Sequence, residues 1–484
     1  LWRDLDMKLN KLYQDPEEKD RLIDYLSFKL DCAREQEALG WKLDVDRAQQ
    51  AYDEIMRLKN EKEEQLADAM PKRVLTRLKT QPKRDKYKKD GTLSSDWENW
   101  IKLCKEQKMG EDTKSLTIIT GEERANPNST DQVKHWLFGL GWKPKTWKFV
   151  RDKSTGEERM IEQVRKDGEL CESVLDLADA DPAVNLLDGL TVLTHRAGIL
   201  KSFLESHEDG WLKAEVAGFT NTLRFRHAKP LVNLPSVDKP YGDIIRGVLT
   251  CPEGYTLCGA DMTSLEDTTK RHYMKPLDPD YVEEMSREGF DPHLDLAKFA
   301  GDVTQGEIDD YNEGKRPDIK HLRKAYKVVN YSATYGVGAA KLARETGKSE
   351  KEAKALLEAF WQRNWSIDKI AKSLRVREVN GGMWVQNPVS KFWYSLRSDK
   401  DRFSTLNQGT GVYCFDNWVA LCRKNGIKTI GQFHDEIIAI VPEGEQQRTK
   451  DTMKWAVEKL NEKLGLNVPL GTDVQFGNTY AAIH

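Results

Sequence analysis

The stretch Gly431–Pro442, GQFHDEIIAIVP, decides how this chain is read. His434, Asp435 and Glu436 stand side by side between two apolar arms. That is the pattern of a tight hairpin with a charged tip. Successive side chains of a strand point to opposite faces, but a turn relaxes the rule, so both carboxylates can sit at the rim. Taken alone, the triplet is an ordinary solvated turn. Asp261 adds a second fact: it closes another apolar run, YTLCGADM, from Tyr255 to Met262. If the two strands share one sheet, Asp261 and Asp435 meet at its edge. Two carboxylates about 4 Å apart repel by roughly 4 kcal/mol at an effective dielectric near 20. A proton or a divalent cation between them removes that cost. Mg²⁺ suits such hard oxygens, because it usually takes one or two carboxylates plus substrate phosphates. Two such ions can activate an attacking oxygen and steady a leaving one.

A third stretch lies between these two. In RKAYKVVNYSATYG, from Arg323 to Gly336, the residues Arg323, Lys327, Tyr331 and Tyr335 recur every four positions. At 3.6 residues per turn they form one gently curving stripe about 18 Å long. Cations suit a triphosphate, and flat rings suit a base or a sugar. The bland alternative is a solvated basic face that runs into a core aromatic pair.

Bulk properties set the frame. The chain has 484 residues, so two to four domains are expected at roughly 100–200 residues each. Hydrophobic residues make up 38% and charged residues 32%, enough for real cores under a highly charged surface. No apolar run approaches the roughly 18 residues of a membrane span, and no signal peptide is visible. The seven cysteines are scattered, without ligand spacing, which predicts free thiols in a reducing compartment and no zinc. Net charge is −3. Even so, Met70–Asp90 carries nine Lys/Arg against two Asp, a local patch that can bind phosphates.

Helical periodicity dominates residues 1–66, with a stop near Gly40 and a restart at an Asp cap before Val45. Residues 71–123 are basic and turn-rich. They read as an insertion of low intrinsic order, in which Trp97 and Trp100 hint at a small packed element. A capped helix restarts at Ser129 or Thr130. Short strands fill 211–262, helices fill 280–376, and GGMWVQNPVSKFWYS reads as a hairpin. Helices at 405–424 and 446–464 flank the HDE hairpin. Helices and antiparallel hairpins segregate, which predicts an α+β fold.

Together these stretches resemble family A DNA polymerases. DMTSLE (Asp261–Glu266) is similar to the family's motif A, RKAYKVVNYSATYG to motif B and HDE to motif C, in the right order. TNTLRFRHAKPLVNLP resembles the T-G-R…P-N-L-x-x-I-P segment and places Arg224 there. DPHLDLAKF resembles the D-x-H element with Asp291 and His293, and LNQGTG places Gln408. AREQEALGWKLDVDRAQQAY and NPNSTDQVKHWLFGLGW resemble thumb-proximal elements, especially of phage enzymes. The likeness covers nearly the whole chain apart from 71–123. Three departures stand out. Leu223 replaces the usual Gly before Arg224, Ser404 stands where Asn often precedes the palm Gln, and Asp267-Thr268 follows the motif A Glu.

The resemblance implies a right-hand fold: palm with antiparallel sheet, helical fingers, and thumb. It divides the chain into 1–45 at the palm and thumb base, 46–205 as thumb with the basic insertion at about 71–123, 206–272 as palm, 273–403 as fingers and 404–484 as palm. It implies template-directed addition of dNTPs to a primer 3′-OH, with two Mg²⁺ ions held by Asp261, Asp435 and the Met262 carbonyl. Glu436 would support them indirectly. Arg323, Lys327 and His293 would hold phosphates, with Lys327 also able to protonate the leaving group. Tyr331 would face the sugar, Tyr335 the templating base and Glu266 the 2′ position. Arg224, Gln408 and His434 would contact primer or template. Only about 45 residues precede the thumb, so no proofreading exonuclease is expected. The cytoplasm of a phage-infected bacterial cell is the expected setting, without membrane attachment. For 71–123, a basic flap tracking duplex phosphates is favoured over a docking site for a processivity factor. Two rival classes are a two-metal nuclease, which leaves the Arg323–Tyr335 stripe unexplained, and a non-catalytic DNA-binding protein, which leaves Asp261 and Asp435 without purpose.

Overall fold

The computed structural model describes residues 9–152, 154–166 and 168–484. They form two compact units. One joins the chain up to Ala48 with Ser202–His484, and the other is Gln49–Lys201. Helices and antiparallel sheets occupy separate stretches, as an α+β fold requires.

At the centre of the first unit is a four-stranded sheet in the order Lys428–Phe433, Glu436–Pro442, Tyr255–Met262, Thr472–Gly477. Every neighbouring pair is antiparallel. The strand Tyr255–Met262 is buried from Thr256 to Ala260 because it has neighbours on both sides. Alternation sends Cys258, Ala260 and Met262 to one face, together with Ile437, Ala439 and Val441. There they pack on Cys414, Trp418 and Cys422 of the helix Arg402–Lys424 and on Met453, Val457 and Leu460 of the helix Gln446–Leu464. Gly259 and Asp261 therefore look out from the opposite face.

The helix Pro16–Leu39 begins at an Asp15 cap with Pro16 in its first turn and ends at Gly40, whose φ of 65° an L side chain rarely adopts. It is tied to Arg402–Lys424 by a buried ion pair, Lys29 Nζ to Asp416 Oδ2 at 2.6 Å. A helical cluster is built on Ile319–Thr334, whose Tyr326, Val329 and Ala333 pack among Leu296, Ala353 and Phe360. The expected hairpin after residue 380 is present, Gly382–Gln386 with Trp393–Leu396, and a third strand, Val376–Val379, extends it to a meander. Asn380-Gly381 makes the extra two-residue turn, with φ of 54° and 74°, the conformation that Asn-Gly favours in hairpins.

The second unit has its own core around Leu66, Val133, Trp136, Leu137 and Leu187. Ser129 caps the helix Thr130–Gly139 through Gln132 N. The 71–123 stretch, expected to be poorly ordered, carries a long hairpin, Arg73–Thr80 with Ser115–Glu123, and a helix, Ser95–Glu106. Trp100, Cys104 and Leu116 give it a small core of its own. All seven cysteines are free thiols. Among the described residues, no helix is long and apolar enough to cross a membrane.

Candidate active site

The sheet register brings acidic residues into a row. Asp261 lies directly opposite Glu436 on one neighbouring strand and opposite Asp473 on the other. Directly opposed residues of antiparallel strands share a face, so Asp473, Asp261 and Glu436 line up across the sheet. Asp435 joins them from the two-residue turn His434–Asp435. Met262 N donates to Asp435 O at 3.0 Å, which pins that turn to the end of the Asp261 strand. His434 occupies the turn with φ of 60°, a conformation that tight hairpins usually give to glycine. Holding a side chain there costs about 1–2 kcal/mol, the kind of strain that collects at functional sites.

These four carboxylates line a cavity of about 560 Å³ with Arg246, His434, Tyr480 and His484. Burial, then the charges of Asp435 and Asp473, push the Asp261 carboxyl up to about 7. Burial and then Asp261 push Glu436 up to about 8. Burial raises Asp435 as well. The row is short of positive charge. Among the described residues, no group of three or more His, Cys, Asp or Glu could hold a metal ion unaided. Two acids open to a cavity, with room for ligands from a substrate, fit the coordination habit of Mg²⁺. Met262 buries its side chain completely, so only its backbone can face this site.

Glu436 is itself tied back. Tyr480 Oη donates to its Oε2 at 3.3 Å, and His484 Nε2 lies 3.2 Å from its Oε1. Burial and the Arg246 charge hold the His484 imidazole down to about 4, so at neutral pH it is uncharged.

Beside the row, Glu266 stands in the first turn of the helix Leu265–Met274. Its carboxylate pairs with Arg224 Nη2 at 3.0 Å. Its carbonyl accepts from Asn407 Nδ2 at 2.8 Å, and Asn407 in turn accepts from Thr269 at 2.9 Å. The structure thus joins two residues that the sequence assigns to different jobs. Leu223 has φ of 66°. It stands where the family resemblance expects glycine, and it keeps the backbone that a glycine would adopt freely. Ser404 bonds back to Asp401 O at 3.1 Å, while Asn407 reaches the Glu266 loop. Asp267 pairs with Lys270 and Arg271 along its own helix, and Thr268 is buried. Burial, then Arg224, depresses the pKa of His434.

The stripe is present on Ile319–Thr334. Lys327, Tyr331 and Tyr335 are exposed opposite the buried Tyr326, Val329 and Ala333, and Arg323 is half-buried. Arg323 forms an ion pair with Asp291. Asp291 also caps the helix Pro292–Ala300 by accepting from His293 N at 2.8 Å and Leu294 N at 3.0 Å. The His293 ring is 3.2 Å from Asn330 Nδ2, and its centroid is 5.9 Å from that of Tyr331. Lys327 Nζ lies 5.9 Å from the Tyr331 ring centre. Tyr335 falls one residue past the helix, and its hydroxyl accepts from Gln408 Nε2 at 3.2 Å.

The sequence reading missed Asp473, Arg246, Asn407, Tyr480 and His484. For Asp473 a signal existed: an Asp within the short β-like run GTDVQFG. The others sit in stretches whose spacing carries no chemistry of its own.

A family model described as DNA polymerase family A matches residues 101–389. The thermostable DNA polymerase I of Thermus filiformis is 26% identical over 375 residues, 73% of this chain and 41% of that protein. DNA polymerase I of Lactococcus lactis is 23% identical over 396 residues, 78% of this chain and 42% of that protein. The chain spans about two-fifths of the length of these curated relatives. Among solved structures, the POL domain of Pol1 from M. smegmatis, in complex with DNA primer-template and dNTP, shares the fold with a TM-score of 0.61 and 20% identity, covering 95% of this chain and 70% of that one.

Proposed function

The chain belongs to DNA polymerase family A, and from that premise we propose that it extends a primer 3′-OH with dNTPs on a DNA template. The observation that carries this reading is the placement of Asp261 and Asp435 at one end of the sheet, with Glu266 beside them and a cation–aromatic stripe whose Tyr335 touches Gln408 of the helix that covers that sheet. Gln49–Lys201 would be the thumb. The sheet and its two covering helices would be the palm, and the helices of 273–403 the fingers.

In this reading Asp261, Asp435 and the Met262 carbonyl would hold two Mg²⁺ ions, which would supply acidification of the primer hydroxyl and charge neutralisation at the departing pyrophosphate. Lys327, which has no carboxylate partner among the described residues, meets the triphosphate first. Its ammonium can also supply a proton to the leaving oxygen. Arg323 is held in place by Asp291 and offers its remaining N–H groups to phosphate oxygens. His293 joins it. Tyr331 presents its ring to sugar and base. Tyr335, in contact with Gln408, lies beside the templating base. Arg224 and His434 face the primer terminus. A phage replicative role rests only on the likeness of the segments around residues 33–52 and 126–142.

Extension of a labelled DNA primer on a DNA template, with Mg²⁺ and dNTPs, tests the reading. Lengthening supports it, shortening indicates a nuclease, and binding without either indicates a non-catalytic protein. Sugar choice gives a sharper test. Glu266→Ala should lower the preference for dNTP over rNTP, measured as a ratio of kcat/KM, by roughly 10- to 200-fold. Arg224→Ala should move it the same way, because Arg224 holds the Glu266 carboxylate. An unchanged ratio in Glu266→Ala refutes the gate.

The basic insertion is testable through salt. Arg73 and Lys86 pair with Glu123 and Glu111, but among the described residues Arg77, Lys79, Lys83, Arg84, Lys88 and Lys89 have no acidic partner. Each phosphate contact contributes about 0.9 to the slope of log affinity against log salt on duplex DNA. Changing all six to Gln should flatten that slope by up to about five. An unchanged slope would move the assignment to a protein partner such as a processivity factor.

A further inference from the structure

The turn that follows the last strand of the sheet is bound to the carboxylate beside Asp261. Two glycines provide its seat. A Cβ on Gly259 would meet Ile483 side-chain and backbone atoms at 3.0–3.2 Å, and one on Gly477 would meet Ala482 Cβ at 2.6 Å. The turn Tyr480–Ile483 therefore lies flat on the face of the sheet that carries Asp261. Thr479 starts it by accepting from Ala482 N at 3.3 Å and bridges to Thr250. Tyr480 is 5% exposed, edge-on to Trp41 at 5.0 Å, with the Arg246 guanidinium 4.5 Å from its ring centre. Trp41 is fixed by its own bond to Ile430 O at 2.7 Å. The His484 ring stands edge-on to Tyr480 at 4.5 Å.

Resting on the polymerase reading, we propose that Tyr480 and His484 are positioning residues that brace Glu436 away from the cation site between Asp261 and Asp435. Tyr480 in this turn contacts one Glu436 oxygen, and His484, the next residue after it, contacts the other. Among the described residues, Asp473, the other acid opposite Asp261, is held only by local bonds from Val474 N and Gln475 Nε2. The row is therefore asymmetric: the braced Glu436 flanks Asp261 without reaching into the cation site. Groups that orient ligands from behind typically govern metal affinity and rate by 10- to 100-fold. Cutting both struts frees Glu436 to swing toward Asp261 and capture a cation in an unproductive geometry.

The test compares the full chain with Tyr480→Phe, His484→Ala, the double variant, and His484→Gln, whose amide keeps an N–H donor. Tyr480→Phe keeps the ring in its seat, so folding is preserved. The double variant should lose roughly 10- to 100-fold in single-nucleotide kcat. Its KM for dNTP and Kd for primer-template should not change, and His484→Gln should recover part of the loss relative to His484→Ala. Mn²⁺ titrated without nucleotide, read by electron paramagnetic resonance, should bind the double variant roughly tenfold tighter. Adding Glu436→Gln should abolish that gain. Wild-type kcat in the double variant, or a loss matched by weaker primer-template binding, overturns the brace. If wild type fails to extend primers, the polymerase reading falls by itself. The Mn²⁺ arm then decides the brace: a Glu436-dependent gain upholds it, and its absence refutes it.

Discussion

Asp435→Ala and Asp261→Asn should each abolish primer extension, by about 10³-fold or more, while making the cation-free protein more stable. The loss follows from the proposed chemistry. A metal that polarises oxygen contributes several kcal/mol to the barrier, and each 1.36 kcal/mol is a factor of ten. The gain follows from the row of acids. A free Asp titrates near 3.9, whereas burial and its neighbours push Asp261 up to about 7. Between those values the folded protein keeps a proton that the unfolded chain has released. Folding stability therefore falls as pH rises from about 4 through about 7, and the ionised group is a net cost above that window. Asn removes the cost. In a chelating buffer at pH 8, Asp261→Asn should melt above wild type, and the gap should close near pH 4. Added Mg²⁺ should raise the wild-type Tm, by up to about 2.7 kcal/mol of binding linkage at a hundredfold excess over Kd. It should do so much less in the variant. Retained extension would refute the metal assignment. A variant less stable at every pH would mean that Asp261 serves the fold instead.

The second large effect lies away from the site. Lys29→Met should destabilise the protein by about 3–5 kcal/mol, the usual cost of leaving one buried charge unpaired. The side chains of Lys29 and Asp416 are each 2% exposed. Lys29 Nζ also lies 4.3 Å from the Phe225 ring centre, and the Tyr25 hydroxyl donates to the same Asp416 oxygen. Burial raises the Asp416 pKa even though Lys29 opposes it. Without Lys29, Asp416 must ionise unpaired or take up a proton. Urea denaturation should show the full deficit at pH 7 and a smaller one in acid, where protonation relieves the carboxylate. Adding Asp416→Leu to Lys29→Met should return most of the loss, because well-packed apolar replacements of a buried pair are often neutral or stabilising. If the single variant denatures with wild type, the pair does not hold the two helices together.

What the sequence made legible was local. The apolar arms around HDE announce the hairpin, and the four-residue spacing of Arg323, Lys327, Tyr331 and Tyr335 survives as one exposed helix face, with Tyr335 just beyond its end. Gly40 and Ser129 mark helix boundaries that the structure keeps. Long-range register was not legible. Nothing local to GTDVQFG says that Asp473 will sit opposite Asp261, because that pairing depends on which strand takes the free edge of Tyr255–Met262. Asn407 was hidden for a similar reason: on its own helix it is one polar residue beside Gln408, and only packing brings it to Glu266. Leu223 shows the opposite case. A leucine stands where the resemblance expects glycine, yet its φ of 66° is one that glycine adopts freely, and Thr220 O and Thr220 Oγ1 bond the turn on either side. In 71–123 the packed element hinted at by Trp97 and Trp100 is present around Trp100, Cys104 and Leu116, while the long strand pair that frames it had no signal in a basic, turn-rich composition.

The strand order of the central sheet also has a consequence for biosynthesis. Tyr255–Met262 is translated first, but both of its neighbours, Glu436–Pro442 and Thr472–Gly477, come from the end of the chain. Pro442 follows Met262 by 180 residues (442 − 262) and Gly477 follows it by 215 (477 − 262), so at about 5–20 residues per second the ribosome leaves that strand unpaired on both edges for roughly 9–36 s and on one edge for longer. An apolar strand with two open edges is a template for wrong partners. Yield from a living cell should therefore depend on translation speed and chaperone supply more than the stability of the finished sheet would suggest.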